Sequence, residues 1–422
     1  MSITSQDEQY LRQALDHARE GIGLTSPNPN VGAVIAASDG KVVGAATHTF
    51  DGRKHAEILA LEQAGSQARG GTLYINLEPC GHQGRTGPCT QAVIASGIQR
   101  VVAAMTDPNP QVSGKGFDQL RAAGIQVEVA DGALHARARK LNEAFAKYIQ
   151  HGTPLVTLKA GMTLDGKIAP PPGASTNPSA FGPATSSGGW ITSEEARAHV
   201  QQLRHSSDAI MVGVGTIIAD DPLLTDRTGQ PRRRPLMRII LDSRLRLPLE
   251  SRVVETANKD VLVFCAFAEE KRKRELQARG IVVEQLPLHV AREAKIVGGS
   301  PVRAADGRPD LRALMQRLGA AEITSVLVEG GALVNWISLD SGIVDKVFLY
   351  YAPKILAGAG AVPFATGEGF RHLGEAAHVK SIELHRFGQD FAVEGYLIDP
   401  YDPPQRDLTS SKVSVIPISE HA

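Results

Sequence analysis

The sequence predicts an α/β fold divided into two domains, and three observations lead to this prediction. Apolar segments of strand length alternate with segments whose apolar residues recur at helical spacing. The 422 residues are long enough for two cores, because a domain usually takes about 150 residues. A helix stop at His151-Gly152-Thr153-Pro154 marks a natural boundary. We therefore expect domains at 1–150 and 151–400, followed by a polar tail at 401–422 that is mobile.

Composition excludes several classes of protein. Hydrophobic residues make up 42% and charged residues 21%, which is typical of a globular protein and not of a disordered chain or a coiled coil. The 45 basic and 45 acidic residues balance, which argues against a nucleic-acid-binding protein. Three cysteines are too few for a disulfide framework and indicate a reducing compartment. The polar start and the absence of long apolar runs predict a cytoplasmic protein with no membrane partner.

The first half begins with a helix and then alternates between strands and helices. Apolar residues at helical spacing predict a helix over 7–19, and residues 25–30 favour turns. Strands at 31–36 and 41–47 flank Ser38-Asp39-Gly40, which predicts a hairpin. Further elements are predicted at 56–64 (helix), 72–77 (strand), 88–96 (helix), 101–105 (strand) and 141–150 (helix).

The second half continues this alternation from a strand that starts at Leu155. Residues 170–189 are rich in Pro, Gly and Ser and predict an irregular loop. Thr192 and Glu195 are spaced as a capping box, which predicts the start of a helix. Further strands are predicted at 209–212, 237–242, 261–265, 326–329 and 346–352, helices at 269–278 and 310–318, and a final antiparallel pair within 380–398.

His55, Glu57, Cys80 and Cys89 are the strongest functional signal of the first half. Zinc prefers nitrogen and thiolate ligands, and His55, Cys80 and Cys89 supply three of them, which leaves a fourth position for water. A catalytic zinc lowers the pKa of such a water. Glu57 then suits a general acid/base that carries protons from water to a leaving amine. Zinc nucleobase deaminases combine these residue types, although their cysteines are usually two residues apart and here eight intervene.

Other interpretations of the first half stay open on the residues alone. The His–Glu pair could lie on the surface beside two buried thiols, or His82 could complete a closed structural zinc site. The glycine-rich stretch 81–88 leads into a helix and suits an anion such as phosphate, or it is a flexible surface loop. Cys265 lies in an apolar strand and is expected in the core.

Glycines at strand ends are the main signal of the second half. Residues 212–216 carry two glycines after a strand but lack the third glycine of the Rossmann fingerprint, so that signal is weak. Gly330 and Gly331 lie between a strand and a helix, where the backbone could approach a pyrophosphate or simply make a tight turn. The basic run 232–234 is expected to be a solvated turn.

Taken in order, these motifs resemble the bifunctional deaminase/reductase family of riboflavin biosynthesis. The eight-residue gap between the cysteines is usual in that family. The resemblance of the first half rests on Pro27-Asn28-Pro29-Asn30-Val31-Gly32, His55-Ala56-Glu57, Glu78-Pro79-Cys80, Pro88-Cys89 and Asp107-Pro108-Asn109-Pro110. That of the second half rests on Leu158-Lys159-Ala160-Gly161, Trp190-Ile191-Thr192, Asp220-Asp221-Pro222, Leu241-Asp242-Ser243-Arg244 and Val328-Glu329-Gly330-Gly331.

The resemblance implies a cytidine-deaminase-like layered α/β domain followed by a dihydrofolate-reductase-like α/β domain. It implies zinc-dependent deamination of a diaminopyrimidinone ribosyl phosphate, and then NADPH-dependent reduction of the ribosyl chain to ribityl. The partner is thus a small phosphorylated pyrimidine, with no nucleic acid and no membrane, and a homo-oligomer is expected. Two alternatives are a deaminase of free nucleosides or tRNA with a binding module, and a zinc-stabilised scaffold.

The resemblance also implies a role for individual residues. Glu57 is the catalytic residue and His55, Cys80 and Cys89 are the zinc ligands. The deaminase substrate positions are Asn28, His82, Arg85 and Thr86. The NADPH positions are Gly161, Trp190, Thr216, Asp220, Ser243 and Gly331. The reductase substrate positions are Arg204, Leu224, Arg227 and Glu329.

Overall fold

The computed structural model describes residues 3–82, 87–171, 189–290, 295–297, 300–302 and 305–403. The chain forms two compact units. The first unit contains Met1–Gly152 together with Pro231–Arg234 and the residues from Pro400 onward. The second unit contains Thr153–Gln230 and Pro235–Asp399. None of the helices in the described ranges is both long and apolar enough to cross a membrane.

The first unit is a five-stranded sheet covered by helices. Its helices are α1 (Ser5–Glu20), α2 (Ala56–Ala64), α3 (Cys89–Ser96), α4 (Lys115–Ala122), α5 (Gly132–Leu141) and α6 (Glu143–His151). Its strands are β1 (Gly32–Ala36), β2 (Val42–Thr47), β3 (Thr72–Ile75), β4 (Arg100–Ala103) and β5 (Gln126–Val129), in the spatial order β2-β1-β3-β4-β5. The predicted hairpin is present as the antiparallel pair β1–β2, whereas β3, β4 and β5 are parallel.

All five residues of β1 are buried, because helices pack on the strand directly. A Cβ atom at Gly32 would lie 2.2 Å from the carbonyl oxygen of Ala14 in α1, so only glycine permits this approach. Helix α5 was not predicted. Only Leu134 and Ala138 of this helix are buried, which leaves a weak helical periodicity in the sequence.

The second unit is built on a nine-stranded sheet with helices on its faces. Its helices are α7 (Glu194–His205), α8 (Val214–Asp220), α9 (Arg252–Glu255), α10 (Glu270–Gln277), α11 (Leu311–Ala320) and α12 (Ala332–Ser341). Its strands are β6 (Leu155–Thr163), β7 (Lys167–Ala169), β8 (Ala209–Gly213), β9 (Met237–Leu241), β10 (Val261–Cys265), β11 (Val282–Gln285), β12 (Leu288–Val290), β13 (Lys295–Val297), β14 (Ser300–Val302), β15 (Ala305–Pro309), β16 (Ser325–Val328), β17 (Lys346–Ala352), β18 (Val362–Pro363), β19 (Lys380–Phe387) and β20 (Asp390–Tyr396).

The order of the large sheet is β11-β10-β9-β8-β16-β6-β17-β20-β19. The strands from β11 to β17 are parallel, and only β20 and β19 run antiparallel. The carboxyl ends of β9, β8, β16 and β6 therefore meet at one edge of the sheet. Cys265 is fully buried at the end of β10, as predicted for a core thiol.

Four local expectations need correction or comment. Helix α7 is capped by Ser193, whose hydroxyl accepts a hydrogen bond from the amide of Ala196 at 3.2 Å, and not by Thr192. The run 232–234 is half-buried in the first unit instead of forming a solvated turn. Tyr401, placed in the tail, packs on Arg139 at 3.8 Å, and 404–422 lie outside the described residues. Most of the predicted loop 170–189 also lies outside them.

Asp7 is the charged residue that joins α1 to the sheet of the first unit. Its carboxylate accepts two hydrogen bonds from Arg100 in β4, at 2.6 and 2.9 Å. The backbone amide of Thr4 and the hydroxyl of Tyr74 in β3 donate to it as well, both at 2.8 Å. Burial by itself raises the pKa of Asp7, but these hydrogen bonds outweigh burial and hold the pKa well below its usual range.

Asp7→Asn should lower the free energy of unfolding by about 3 kcal/mol at neutral pH, because it removes a buried carboxylate from Arg100. Since the folded-state pKa is depressed, this contribution is complete above about pH 4 and declines as the pH falls further. Urea denaturation of variant and wild type at neutral pH and near pH 3 measures both effects. Asp16→Asn, at an exposed position of the same helix, is the control and should change little. An undiminished difference in acid would contradict this account.

Candidate active sites

His55, Cys80 and Cys89 come together at the starts of two helices of the first unit. His55 is the N-cap residue of α2, Cys89 is the first residue of α3, and Cys80 lies in the loop that follows β3. Their ligand atoms all lie within 4.8 Å of one another. The Nδ1 atom of His55 is 3.1 Å from the Cys89 sulfur and 3.5 Å from the Cys80 sulfur. One nitrogen and two sulfur donors at this spacing fit a zinc ion.

The electrostatics of this cluster favour a thiolate at Cys80. A hydrogen bond from the Cys89 thiol lowers the pKa of Cys80 to about 4 against the effect of burial, and hydrogen bonds from His55 and the Cys89 amide act in the same direction. A thiolate is the form of cysteine that binds a metal. The exposed His82 is not part of the cluster, which argues against a closed site with four protein ligands.

Glu57 lies in the first turn of α2 and is only 3% exposed. Burial raises the pKa of Glu57, while the charge of His55 opposes that shift. Its Oε2 atom is buried and has no hydrogen-bond partner among the described residues. Buried carboxylate oxygens are usually paired, so this oxygen is suited to a water or substrate group beside the cluster. This orphaned oxygen fits a hydrolytic metal site better than a structural one.

Asn28 meets His48 above the same cluster. The Nδ2 atom of Asn28 is 3.0 Å from Nε2 of His48, and Nδ1 of His48 is 2.9 Å from the carbonyl oxygen of Lys54. A carbonyl oxygen only accepts, so Nδ1 carries the proton and Nε2 accepts from the Asn28 amide. The Oδ1 atom of Asn28 therefore points away from this hydrogen bond. The ring of His48 contacts that of His55 edge to face, at 5.4 Å between centroids.

The other predicted deaminase substrate positions lie in the loop after Cys80. His82 is exposed in this loop, and its charge lowers the pKa of the nearby Asp107. Burial has the larger effect and raises the pKa of Asp107 to about 6. Arg85 and Thr86 lie outside the described residues.

Glu78 organises the loop beside Cys80. Its side chain is 5% exposed, and its two carboxylate oxygens accept four backbone N–H groups, from Asp107, Gly114, Gly116 and Phe117, at 2.8 to 3.3 Å. A Cβ atom at Gly116 would lie 2.1 Å from the carbonyl oxygen of Pro79, so the two segments are in direct contact. One carboxylate thus fixes the backbone on both sides of a metal-cluster residue.

The predicted NADPH positions of the second unit follow neighbouring strands of the large sheet. Ser243 follows β9, Thr216 and Asp220 lie in α8 after β8, Gly331 follows β16, and Gly161 is in β6. Since these strands are adjacent and parallel, four of the six positions follow one carboxyl edge directly and Gly161 lies beside it. Helices α8 and α12 begin after Gly213 and Gly331 without a side-chain cap. Helix N-termini of this kind bind phosphate groups, which fits a dinucleotide.

Two contacts tie these positions together. The amide of Gly331 donates to the hydroxyl of Thr216 at 2.9 Å, which links the turns after β16 and β8. A Cβ atom at Gly161 would lie 3.1 Å from the Thr192 methyl group, so glycine lets the segment after Trp190 approach β6. Trp190 itself is 57% exposed, with the Arg197 guanidinium 5.0 Å from its ring centroid.

The predicted reductase substrate positions converge on Glu329. Arg204 donates two hydrogen bonds to its carboxylate, at 2.7 and 2.9 Å, and a third to the carbonyl oxygen of Thr225. Burial raises the pKa of Glu329, but the charge of Lys159, the Arg204 hydrogen bonds and the charge of Arg227 together lower it. Leu224 is buried with φ of +55°, a conformation that non-glycine residues adopt mainly at constrained or functional positions.

Comparison with known proteins places both halves in one family. Residues 154–393 match the family model of the RibD C-terminal domain, and residues 4–105 match that of the cytidine and deoxycytidylate deaminase zinc-binding region. The riboflavin biosynthesis protein RibD of Actinobacillus pleuropneumoniae is 39% identical over 397 residues, which cover 94% of this chain and 97% of that protein. This chain belongs to the RibD family. RibD of Escherichia coli K12 is 38% identical, and the match covers 91% of this chain and 98% of that protein.

Solved structures of RibD proteins agree with this assignment. The Acinetobacter baumannii RibD structure has a TM-score of 0.73 at 34% identity and covers 93% of this chain and 98% of its own. A Thermotoga maritima structure, named as a diaminohydroxyphosphoribosylaminopyrimidine deaminase/5-amino-6-(5-phosphoribosylamino)uracil reductase, has a TM-score of 0.72 at 32% identity, and the match covers 93% of this chain and 98% of that one. The family resemblance and the fold class predicted from the sequence are therefore confirmed.

As a RibD-family member, this chain is a bifunctional enzyme of riboflavin biosynthesis, with a deaminase domain and a reductase domain. Its cofactors are zinc in the deaminase domain and NADPH in the reductase domain. It acts on a small molecule.

Sequence reasoning gave no role to three residues of these sites. Lys159 is visible in the sequence as a charged residue within the apolar strand β6, and its ammonium nitrogen lies 3.9 Å from Glu329. His48 follows β2 with no local signal that it would meet Asn28. Glu78 was part of a recognised motif, but the backbone N–H groups that it accepts are contributed by a loop about thirty residues further along the chain.

Glu78→Gln should weaken zinc binding about tenfold to a hundredfold, because an amide cannot accept all four backbone N–H groups and the loop beside Cys80 shifts. Competition with a chromophoric chelator measures the affinity. Asp118→Asn is the matched control in the adjacent helix α4, since its carboxylate is 78% exposed and makes only a surface ion pair. Unchanged zinc affinity in a folded Glu78→Gln protein would contradict the positioning role of this carboxylate.

Proposed function

We propose that the domain at 1–150 removes an amino group from the pyrimidine ring of a diaminopyrimidinone ribosyl 5′-phosphate. The domain at 151–400 then reduces the ribosyl chain of the product to ribityl. The observation that carries this proposal is the buried Glu57 carboxylate beside the His55, Cys80 and Cys89 cluster, with one oxygen unpaired among the described residues. The names of the RibD relatives supply the substrate class.

In the deamination, water replaces an amine on a ring carbon and ammonia leaves. His55, Cys80 and Cys89 hold zinc, which when bound makes water a stronger nucleophile near neutral pH. Glu57 accepts a proton from that water and returns a proton to the departing amine. Its buried position raises its pKa, which makes the return of the proton easier. The exclusion of bulk water around Glu57 keeps this proton within the site.

Asn28 and the loop after Cys80 bind and orient the substrate. With its Nδ2 group committed to His48, Asn28 presents Oδ1 to an N–H group of the pyrimidine. His82, Arg85 and Thr86 contact the ribose phosphate. A histidine, an arginine and a hydroxyl on a loop that leads into the start of α3 suit a phosphate dianion.

In the reduction, the ribosyl carbon accepts a hydride and an oxygen accepts a proton, and NADPH supplies the hydride when bound. Gly161, Trp190, Thr216, Asp220, Ser243 and Gly331 hold the cofactor along the carboxyl edge of the sheet. The uncapped starts of α8 and α12 support this assignment, because their N–H groups are available to phosphate oxygens.

Arg204, Leu224, Arg227 and Glu329 bind the substrate beside this edge. The carboxylate of Glu329 and the exposed Arg227 provide opposite charges for sugar hydroxyls and for the phosphate. Burial lowers the pKa of Lys159, which Arg204 also lowers and Glu329 opposes. A lysine whose pKa is lowered releases a proton more readily, so we assign the proton donor of the reduction to Lys159.

We also propose that the enzyme works in the cytoplasm as a homo-oligomer, on a small phosphorylated pyrimidine and without nucleic acid or membrane partners. The balanced charge of 45 basic and 45 acidic residues supports a few placed arginines in preference to a polyanion-binding surface.

Glu57→Gln should keep bound zinc but reduce ammonia release by about a hundredfold to ten-thousandfold, because the amide cannot shuttle protons. Zinc content and ammonia release from the diaminopyrimidine substrate are measured on the same preparation. Glu62→Gln, at the solvent-exposed end of α2, is the matched control and should match wild type. Full ammonia release by a zinc-loaded Glu57→Gln protein would reject the mechanism.

The wild-type enzyme should oxidise NADPH only when the deaminated product is present. Glu329→Gln should slow this oxidation about tenfold or more, because the bidentate pair with the buried Arg204 is lost. Ammonia release in the first domain should be unaffected, and Glu368→Gln at an exposed ion pair is the control. No NADPH oxidation by wild type with authentic product would leave the second domain as a binding module only.

A further inference from the structure

Four residues from the second half of the sequence belong to the first unit. Segment 231–234 stands between α8 and β9 in the chain, yet it clusters with Met1–Gly152. The backbone amide of Arg233 donates to the carbonyl oxygen of Gly23 at 2.8 Å, and its guanidinium donates to that of Ser26 at 2.7 Å. The guanidinium also lies 3.5 Å from the ring centroid of Phe50. Arg234 donates to the Ser26 hydroxyl at 2.8 Å.

These contacts bracket the hydrogen bond between Asn28 and His48. Ser26 precedes Asn28 by two residues, and Phe50 follows His48 by two residues. The amide of Phe50 also donates to the carbonyl oxygen of Leu24 at 3.0 Å, which joins the two backbone segments on the same side. One guanidinium therefore contacts both segments whose side chains meet at 3.0 Å.

The other end of this loop is held by the first half of the chain alone. The backbone amide of Asn30 donates to Oδ1 of Asn142 at 2.8 Å, and its carbonyl oxygen accepts from Asn76 and Asn142. The hydroxyl of Thr25 donates to Oδ1 of Asn30 at 2.8 Å. Asn28 thus lies between two fixed points, one supplied by the first half and the other by segment 231–234.

The chemistry of arginine explains why it occupies this position. Its planar guanidinium can stack on an aromatic ring and donate in its own plane to a carbonyl oxygen at the same time, which an ammonium group cannot reproduce. Arg233 is half-buried, so these contacts are less screened than surface ones. The ion pair with Asp51 adds little, because its atoms are 3.7 Å apart and Asp51 is largely exposed.

We propose that Arg233 is a positioning residue of the deaminase site, which acts through Asn28 on the pyrimidine substrate. This inference rests on the proposed function, because it requires Asn28 to contact that substrate. A displaced Asn28 binds the substrate less well but leaves the zinc ligands and Glu57 in place. The KM of the deaminase therefore depends on Arg233 more than its kcat does.

Arg233→Ala should raise the KM for ammonia release about tenfold, with zinc content and product-dependent NADPH oxidation unchanged. Amide hydrogen exchange of residues 22–31 should become faster, while residues 72–77 keep their protection. Arg233→Lys should recover part of the KM, since the cation over Phe50 remains but the planar donor group is lost. Arg12→Ala, at an exposed arginine paired with Glu8, should match wild type in every measurement.

A double-mutant cycle tests the contact itself. Arg233→Ala should raise the KM less in a Phe50→Leu background than in wild type, because part of the interaction is already absent. Faster exchange with an unchanged KM would overturn the positioning role and leave a structural contact only, and unchanged exchange would remove that contact as well. If the wild type itself releases no ammonia, the proposed function and the catalytic role both fail. The exchange measurement still shows whether Arg233 holds the loop.

Discussion

Both candidate sites depend on helix N-termini that meet the loops at strand ends. In the first unit, the starts of α2 and α3 carry His55 and Cys89, and Cys80 lies beyond the end of β3. In the second unit, Gly213 and Gly331 end the turns after β8 and β16 and begin α8 and α12. None of these four helices has a side-chain cap on its first N–H groups. The partial positive charge there favours thiolates in one unit and phosphates in the other.

Three buried carboxylates show how surroundings assign different roles to one chemical group. Glu78 accepts four backbone N–H groups and so fixes a loop, and Glu329 is paired with Arg204 and Lys159. Glu57 has an oxygen without a partner among the described residues, although it is as buried as Glu78. A fully paired carboxylate holds geometry, whereas an unpaired one in a buried position is costly unless it serves a ligand or a proton. This contrast distinguishes the reacting carboxylate from the supporting ones.

Most elements of both sheets were predictable, because their apolar periodicity is local. The hairpin β1–β2, the helix α2 and the strands β10 and β17 have the expected bounds to within a residue or two. Local patterns did not decide which residue caps α7. Thr192 and Ser193 are both suitable caps, and Ser193 takes the position where its amide also donates to Asp390 and its hydroxyl donates to the carbonyl oxygen of Phe387. Helix α5 was missed because only two of its residues are buried. The run 232–234 reads as a surface turn until Phe50 and Ser26 are placed beside it.

The sequence by itself determined the residue types of the deaminase site and its family, because metal-binding and proton-transfer chemistry restricts which residues can serve and at what spacing. His55, Glu57, Cys80 and Cys89 fall within a short stretch of chain, where motif and spacing are readable. The tertiary structure alone decided the pairing of Arg204 with Glu329, which are 125 residues apart, and the placement of Arg233 on Ser26, across 207 residues. These contacts depend on the order of the strands in the sheet and on where a distant loop packs. Neither property has a periodic or local signature in the chain.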